Sequence, residues 1–543
     1  MRRFLLTSAS AAALLASSAA FAAPPNNTST VDQSGTNQAV EFHQDGVNDT
    51  SSVVQKGKNS TATISQKGIT GGSSDINQNG DGNTADVNQS DDGNPLTSGG
   101  TLIINGVTVP PQGKPISASS ILQQGDGNHA DVTQKTATNA IVNTSSIAQS
   151  GGDTAHVKQY DDGQTSSITQ AASGNTATVT QGIDDGHDTS YYNNSYVNQS
   201  AAGNTGTVTQ TGAASTSSLS QGGTNSHATI VQSADLDSSS ASQSGDNDTA
   251  FVTQTTAHQV SGVDQHAANN YAIVNQSSAT ADTSSVSEYG NNNAARVTQQ
   301  GAGGNSSSIY QNAGKSGLGG ESGTELGQPI LNDRNFNSYD DVRQNGARLS
   351  SGITQTGTGE FAFVQQVDHD NHSTIAQSGD ANWAYVDQAG HDNTAVLAQS
   401  GAATNVSGDD NIANTRGIHQ SGDNNQAYVT QTGTATDLNT AYFNHRNSVN
   451  VVQSNTGNFA SVNQGGMDNR LDLSQSGANN MTYATQAGTN ETATLTQIGS
   501  GNLLSLYQGG VSSTAVITQY SDNNVASITQ TGTGSVVGTQ GAH

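Results

Sequence analysis

A glutamine recurs every eleven residues along much of this chain, and that spacing restricts the fold more than any other feature. Gln453, Gln464, Gln475, Gln486, Gln497, Gln508, Gln519 and Gln530 stand eleven apart without a break. Gln199, Gln210, Gln221, Gln232, Gln243, Gln254, Gln265 and Gln276 do the same, as do Gln344 to Gln399. Counting from a Gln, the fifth residue is often Asn, the seventh Ala or Ser, and the ninth Val, Ile or Leu. Gln170 is followed by Asn175, Ala177, Val179 and Gln181, and Gln377 by Asn382, Ala384, Val386 and Gln388. A spacing of two puts all four side chains on one face of a strand. Between Gln and Asn lie Gly- and Asn-rich segments that supply the positive φ of a tight turn.

The seventh position alternates along the chain: Gly206, Ser217, Ala228, Ser239, Ala250, Ser261, Ala272. The structural repeat is therefore two strand-turn units, 22 residues. The spacing predicts an all-β β-solenoid, a cross-β stack of 22-residue coils. Each coil is strand-turn-strand, and the coils form two parallel, in-register sheets facing each other across a thin seam. Inward Gln and Asn are satisfied there if each amide donates to the copy above and accepts from the copy below, which requires identical levels.

Composition alone would suggest disorder, because only 31% of residues are hydrophobic and 4% aromatic. Such a chain cannot fill a thick core. Its few apolar residues are strictly placed, however, and disordered Gln/Asn tracts lack such a register. The formal charge of −27 excludes a basic nucleic-acid surface. The chain has no cysteine, hence no disulfide and no thiolate metal site. Arg2-Arg3, the apolar run from Phe4 to about Ala20, and Ala20-Phe21-Ala22 read as a signal peptide cleaved after Ala22. No membrane span is expected in the mature chain.

The pattern Ser-x-Ile-x-Gln, turn, Asn-x-Ala-x-Val-x-Gln resembles the curlin repeat of curli fibre subunits. Ser166-Ser167-Ile168-Thr169-Gln170 followed by Asn175 to Gln181 carries the likeness, as does Ser373 to Gln377 followed by Asn382 to Gln388. The resemblance implies a secreted structural subunit of an amyloid, pilus-like surface fibre. Such a subunit self-assembles in biofilm matrix and mediates cell adhesion. Its implied partners are other copies of itself, a nucleator subunit and an outer-membrane secretion pore, with no cofactor. Familiar curli subunits have about five repeats, whereas this chain has about twenty. The expected organisation is a signal peptide at 1–22 and curlin-like repeats at 23–90, 121–311 and 341–543. A Pro/Gly-rich interruption at 91–120 and a Gly-rich one at 312–340 separate them, with a weaker break at 402–417. Leu102-Ile103-Ile104 and Val107-Thr108-Val109 predict a hairpin around Asn105-Gly106.

No catalytic or metal-binding constellation is evident, and an enzyme is not expected. Acidic pairs such as Asp91-Asp92, Asp161-Asp162, Asp184-Asp185 and Asp409-Asp410 read as solvated turns. Asp81-Gly82-Asn83 and Asp126-Gly127-Asn128 lack the spacing of calcium-binding β-rolls. The expected ladder residues are Gln170, Asn175, Gln181, Gln199, Gln210, Gln221, Gln377, Asn382, Gln388, and Gln453 to Gln530. Aromatic residues concentrate at the outward sixth and eighth positions: Phe251, Tyr271, Phe361, Phe363, Trp383, Tyr385, Tyr428, Phe459 and Tyr483. They are expected on the Ala-type strands, on one face, as a lateral-contact surface between fibrils. The alternative function is a monomeric extracellular β-solenoid adhesin, or an ice- or surface-binding protein, that does not polymerise.

Overall fold

The computed structural model describes residues 4–8, 27–91, 102–104, 107–109, 117–136, 142–184, 191–312, 338–357, 360–380, 382–402, 417–432 and 447–541. The chain divides into two compact units, Met1–Ser261 and Gly262–His543. Both are all-β among the described residues, and none of these forms a helix long and apolar enough to cross a membrane.

In the first unit one sheet runs from Gln38–Val47 through His129–Thr136 and Thr176–Gln181 to Thr249–Gln254. The other runs from Thr28–Thr36 through Thr165–Gln170 to Ser238–Gln243. The coil strands are parallel and in register. Ala155, Val157 and Gln159 lie opposite Ala177, Val179 and Gln181. Ser166, Ile168 and Gln170 lie opposite Ser195, Val197 and Gln199. The second unit has the same two-sheet plan. One sheet runs from Tyr271–Gln276 through Trp383–Ala389 to Ser535–Gln540, the other from Thr283–Glu288 through His372–Asp380 to Val525–Gln530. Each unit is thus a β-solenoid of coils one strand deep on each side.

The core is a seam rather than a ball. Ala177, Val179, Ile168, Val208 and Leu219 are buried in it beside buried Gln181, Gln199 and Gln210. The sheets approach closely where the seventh residue is small: a Cβ on Gly206 would lie 2.7 Å from Leu219 Cδ2. Two columns of residues make the turns possible. The fourth residue after most ladder glutamines adopts positive φ, as Asn37, Asn59 and Asn247 do, or is glycine, as at Gly82 and Gly174. Two residues after the Gln stands a second glycine column. A Cβ on Gly57 would meet Gly80 O at 2.2 Å, and one on Gly80 would meet Gly125 O at 2.0 Å. Only a hydrogen there lets one turn sit directly on the next.

In the first unit Ser at the seventh position marks one sheet throughout, and the other carries Ala, with Val40 and Gly206 as exceptions. In the second this pattern lapses after Ser373. The sheet that carried Ser284, Ser307, Ser351 and Ser373 then carries Ala395, Ala427 and Ala460, while its partner takes Val449 and Leu471. Sheet membership follows chain connectivity, because each turn returns the chain to the opposite sheet. Residue type at the seventh position only has to fill the seam.

Phe4–Ser8 forms a strand antiparallel to Gln38–Val47, and the rest of the expected signal peptide lies outside the described residues. So do 92–101, 105–106 and 110–116 of the first interruption, 313–337 of the second and 403–416 of the third. Leu102–Ile104 and Val107–Val109 do pair as an antiparallel hairpin.

Candidate functional site, a buried amide ladder

The glutamines form columns of side-chain hydrogen bonds that run from level to level. In the first unit Nε2 of Gln170 donates to Oε1 of Gln199 at 2.8 Å, and Gln199 to Gln221 at 2.8 Å. On the facing sheet Gln181 donates to Gln210 at 2.9 Å. Gln210 in turn donates to Gln232 at 2.8 Å, while Gln221 donates to Gln243 at 2.9 Å. In the second unit Gln377 donates to Gln399 and Gln388 to Gln420, both at 2.8 Å. Gln453, Gln475 and Gln497 form one further column, the last donating to Gln519 at 2.8 Å. Gln464, Gln486 and Gln508 form another, ending on Gln530 at 2.8 Å.

The sequence pattern did not reveal where the second N–H of each amide goes. It crosses the seam. Gln170 Nε2 also donates to Thr154 O at 3.0 Å, and Gln181 Nε2 to Thr165 O at 2.9 Å. Gln210, Gln377 and Gln497 do the same to the backbone carbonyls of Asn194, Phe361 and Met481. Each glutamine therefore ties its level to the next and its sheet to the opposite one. An amide with two donors and one acceptor, on a stem long enough to span the seam, is required. Asn is too short for this task and Glu has no donor.

The column at the fifth position works differently from the expectation of an amide-to-amide ladder. Oδ1 of Asn175 accepts the backbone N–H of Asn204 at 2.9 Å, and Oδ1 of Asn204 that of Ser226 at 2.8 Å. Asn175 Nδ2 turns back to Ala172 O in its own turn. Asn382 Nδ2 reaches Glu360 Oε1 and Ser378 O. Direct amide pairs do occur at the fifth position in the second unit, as from Asn502 to Asn480 at 3.0 Å. The common requirement is an inward acceptor, so Asp and Ser serve as well. Asp153 Oδ1 accepts Asn175 N, and Asp237 Oδ1 accepts Gln259 N, both at 2.9 Å. Burial pushes these carboxyls up, Asp49 to about 6 and Asp237 to about 7, against hydrogen bonds that pull them down.

The turn acids are also structural. Asp81 Oδ1 accepts Lys58 N at 2.8 Å, and Asp126 Oδ1 accepts Asp81 N at 2.7 Å. Asp235, Asp246 and Asp522 accept Ala213, Thr224 and Ser500 N in the same way. These carboxylates hold the turn of the neighbouring level. Asp161 and Asp162, expected in solvent, are buried, because Gly182 of the next level lies directly over that turn.

The aromatic residues depart from the expected single face. Phe251 lies in the first unit, half-buried and 5.6 Å from the His227 ring. In the second unit Tyr339, Phe361 and Trp383 stack at 5.3 and 5.0 Å on one sheet, beside Phe363 and Tyr385 at 5.1 Å. Tyr428, Phe459 and Tyr483 form a second stack on the other sheet. The expectation equated Ala at the seventh position with one sheet, and Ala427 and Ala460 belong to the other. Tyr271 and Phe363 stand at outward positions yet are buried, Phe363 beneath the Arg343 guanidinium at 5.1 Å.

Comparison with known proteins bears on these columns. No curated protein matches the chain. A family profile, Curlin associated repeat, matches residues 369–401 and 466–499. The first match spans Gln377, Gln388 and Gln399, and the second spans Gln475, Gln486 and Gln497. The chain thus carries curlin associated repeats, and their glutamines are members of the ladder, Gln399 at a half-buried place in it.

Proposed function

We propose that this chain is a secreted structural subunit of curli-like amyloid fibres that self-assembles at the cell surface, in biofilm matrix, and mediates adhesion. The observation that carries the reading is the unbroken Gln Nε2 to Gln Oε1 column in segments that match the curlin repeat. Within those segments each level presents to the next the same strand register and the same amide donors and acceptors. A level of one chain is therefore chemically competent to receive a level of another. The role is structural: the seam is closed by the ladder, and its polar groups are spent on holding levels together. Export with removal of 1–22, a nucleating subunit and an outer-membrane pore complete the proposal, by analogy with the family.

The test is assembly of the purified mature chain. Thioflavin-positive fibres growing after a lag, shortened by sonicated seeds and giving cross-β diffraction, support the reading. A chain that keeps the folded circular dichroism of a β-solenoid and stays monomeric for days overturns it, in favour of the monomeric adhesin.

A further inference from the structure

Parallel in-register stacking brings together side chains that lie far apart in sequence, and on the outer face of the first unit it assembles a ligand set. His129 and Asp131 lie two apart on the strand His129–Thr136, so both point outward. On the next strand, Thr154–Tyr160, His156 is the register partner of Asp131. His156 Nδ1 lies 3.1 Å from Asp131 Oδ2, and His129 Nε2 lies 3.4 Å from the same oxygen. The two imidazoles meet edge to face with centroids 5.6 Å apart. One ligand atom from each of the three side chains falls within 4.8 Å of the others. On the other side of Asp131 its register partner is a further carboxylate, Asp86.

We propose that His129, Asp131 and His156 bind one divalent transition-metal ion, of the zinc or copper class, as a clasp across two coils. Around a tetrahedral ion with bonds of about 2.0–2.1 Å, neighbouring ligand atoms stand roughly 3.3 Å apart. The two distances to Asp131 Oδ2 already bracket that value, and side-chain rotation has to close only the third pair, the two imidazole nitrogens, from within 4.8 Å. Two imidazoles and one carboxylate select zinc, copper or nickel over calcium and magnesium, which take oxygen ligands. The three side chains are half-exposed, leaving a coordination position open to water or to Asp86. The net charge of −27 raises the local concentration of cations. The ligand spacing, 129, 131 and 156, matches no linear metal motif, because the third ligand comes from the next level of the stack. The clasp joins levels already joined by the glutamine column, so its presence does not depend on fibre formation.

The test uses the full mature chain before assembly, titrated with zinc chloride by calorimetry. Its comparators are the outward-face double variant His129→Asn/His156→Asn and a control double variant, His369→Asn/His391→Asn. The control removes another stacked histidine pair, whose centroids are 4.4 Å apart. The expected result is a binding event lost in the first variant and kept in the control. Zinc should also slow hydrogen exchange in His129–Thr136 and Thr154–Tyr160. X-ray absorption of the control variant loaded with zinc should show two imidazole nitrogens. Unchanged binding in the first variant, or no binding by the wild-type chain at micromolar zinc, overturns the proposal. Circular dichroism of both variants distinguishes loss of the site from loss of the fold.

Discussion

Truncating one glutamine should cost more than truncating the apolar residue beside it. Gln210 and Val208 lie on the same strand, both fully buried. Gln210 Nε2 donates to Gln232 Oε1, Asn194 O and Ser215 O, and its Oε1 accepts from Gln181 Nε2. Gln210→Ala removes these bonds at about 1 kcal/mol each and leaves Gln232 Oε1 and one N–H of Gln181 buried without their partner. The sum is about 4 kcal/mol. Val208→Ala removes two methyl groups from the seam, worth about 2 kcal/mol with the cavity included. A solenoid opens locally, so a single unfolding free energy is a poor readout. Hydrogen exchange followed by mass spectrometry on the unassembled chain is the appropriate assay. At 1.4 kcal/mol per factor of ten, exchange in Thr176–Gln181 and His227–Gln232 should accelerate about a thousandfold in Gln210→Ala and about thirtyfold in Val208→Ala. Distant coils should be unaffected in both. If Val208→Ala opens these strands as much as Gln210→Ala, apolar packing holds the stack and the ladder reasoning is wrong.

Glu288 occupies a glutamine position. It accepts from Gln265 Nε2 at 2.7 Å but has no amide to give, and Gln311 Oε1 is buried without a hydrogen-bond donor. Glu288→Gln should stabilise Ser306–Gln311 by about 1 kcal/mol, read as slower exchange there. The folded Asp237 carboxyl, at about 7, holds a proton that the unfolded chain loses near its ordinary 3.8. Stability in that coil is therefore greatest at low pH and falls as pH rises from about 4 to about 7. Asp237→Asn should flatten this dependence in exchange of Ser238–Gln243; an unchanged slope counts against the buried acid. Gly80→Ala should disrupt its coil, since the new Cβ would press on Gly125 O, whereas Gly82, also at positive φ but with open space around its Cβ, should cost only about 1 kcal/mol as Ala. Replacing Trp383 and Tyr385 with Ser should reduce lateral bundling of fibres seen by electron microscopy without slowing single-filament growth, and unchanged bundling refutes a lateral role for that stack.

The fold was legible because its governing variable, the register of one level on the next, is written as a period. Gln and the seventh and ninth positions announce which face is inward, and Gly and Asn announce the turns. What stayed hidden depends on atoms that a period does not specify. The second N–H of Gln170 reaches Thr154 O only because the facing strand begins there. The fifth position admits Asp237 and Ser226 beside Asn204 because it needs an acceptor, a function that residue identity blurs. Ala427 and Ala460 place Tyr428 and Phe459 on the wrong sheet when read as sheet markers, since filling the seam does not fix which wall a residue stands on. His129, Asp131 and His156 become neighbours only once coils of unequal length are stacked.

That tolerance of unequal coil lengths follows from the energies involved. Most ladder partners in the second unit are 22 residues apart, yet Gln78 donates to Gln123 at 2.8 Å across a separation of 45. On the facing sheet Gln89 donates to Gln134 at 2.8 Å, also across 45. Both columns are displaced equally, so the added residues lie between Gln89 and Gln123 and leave both strands of the next level in phase. Doubling a loop costs only about 0.6 kcal/mol in closure entropy. The bonds made by a single glutamine, about 4 kcal/mol by the reckoning above, exceed that several-fold. A level that resumes in register recovers two such glutamines, one on each sheet. A level displaced by one residue turns both of them outward, because strand side chains alternate. Insertions are therefore tolerated at turns and excluded from strands, and the eleven-residue spacing survives wherever the chain must stack.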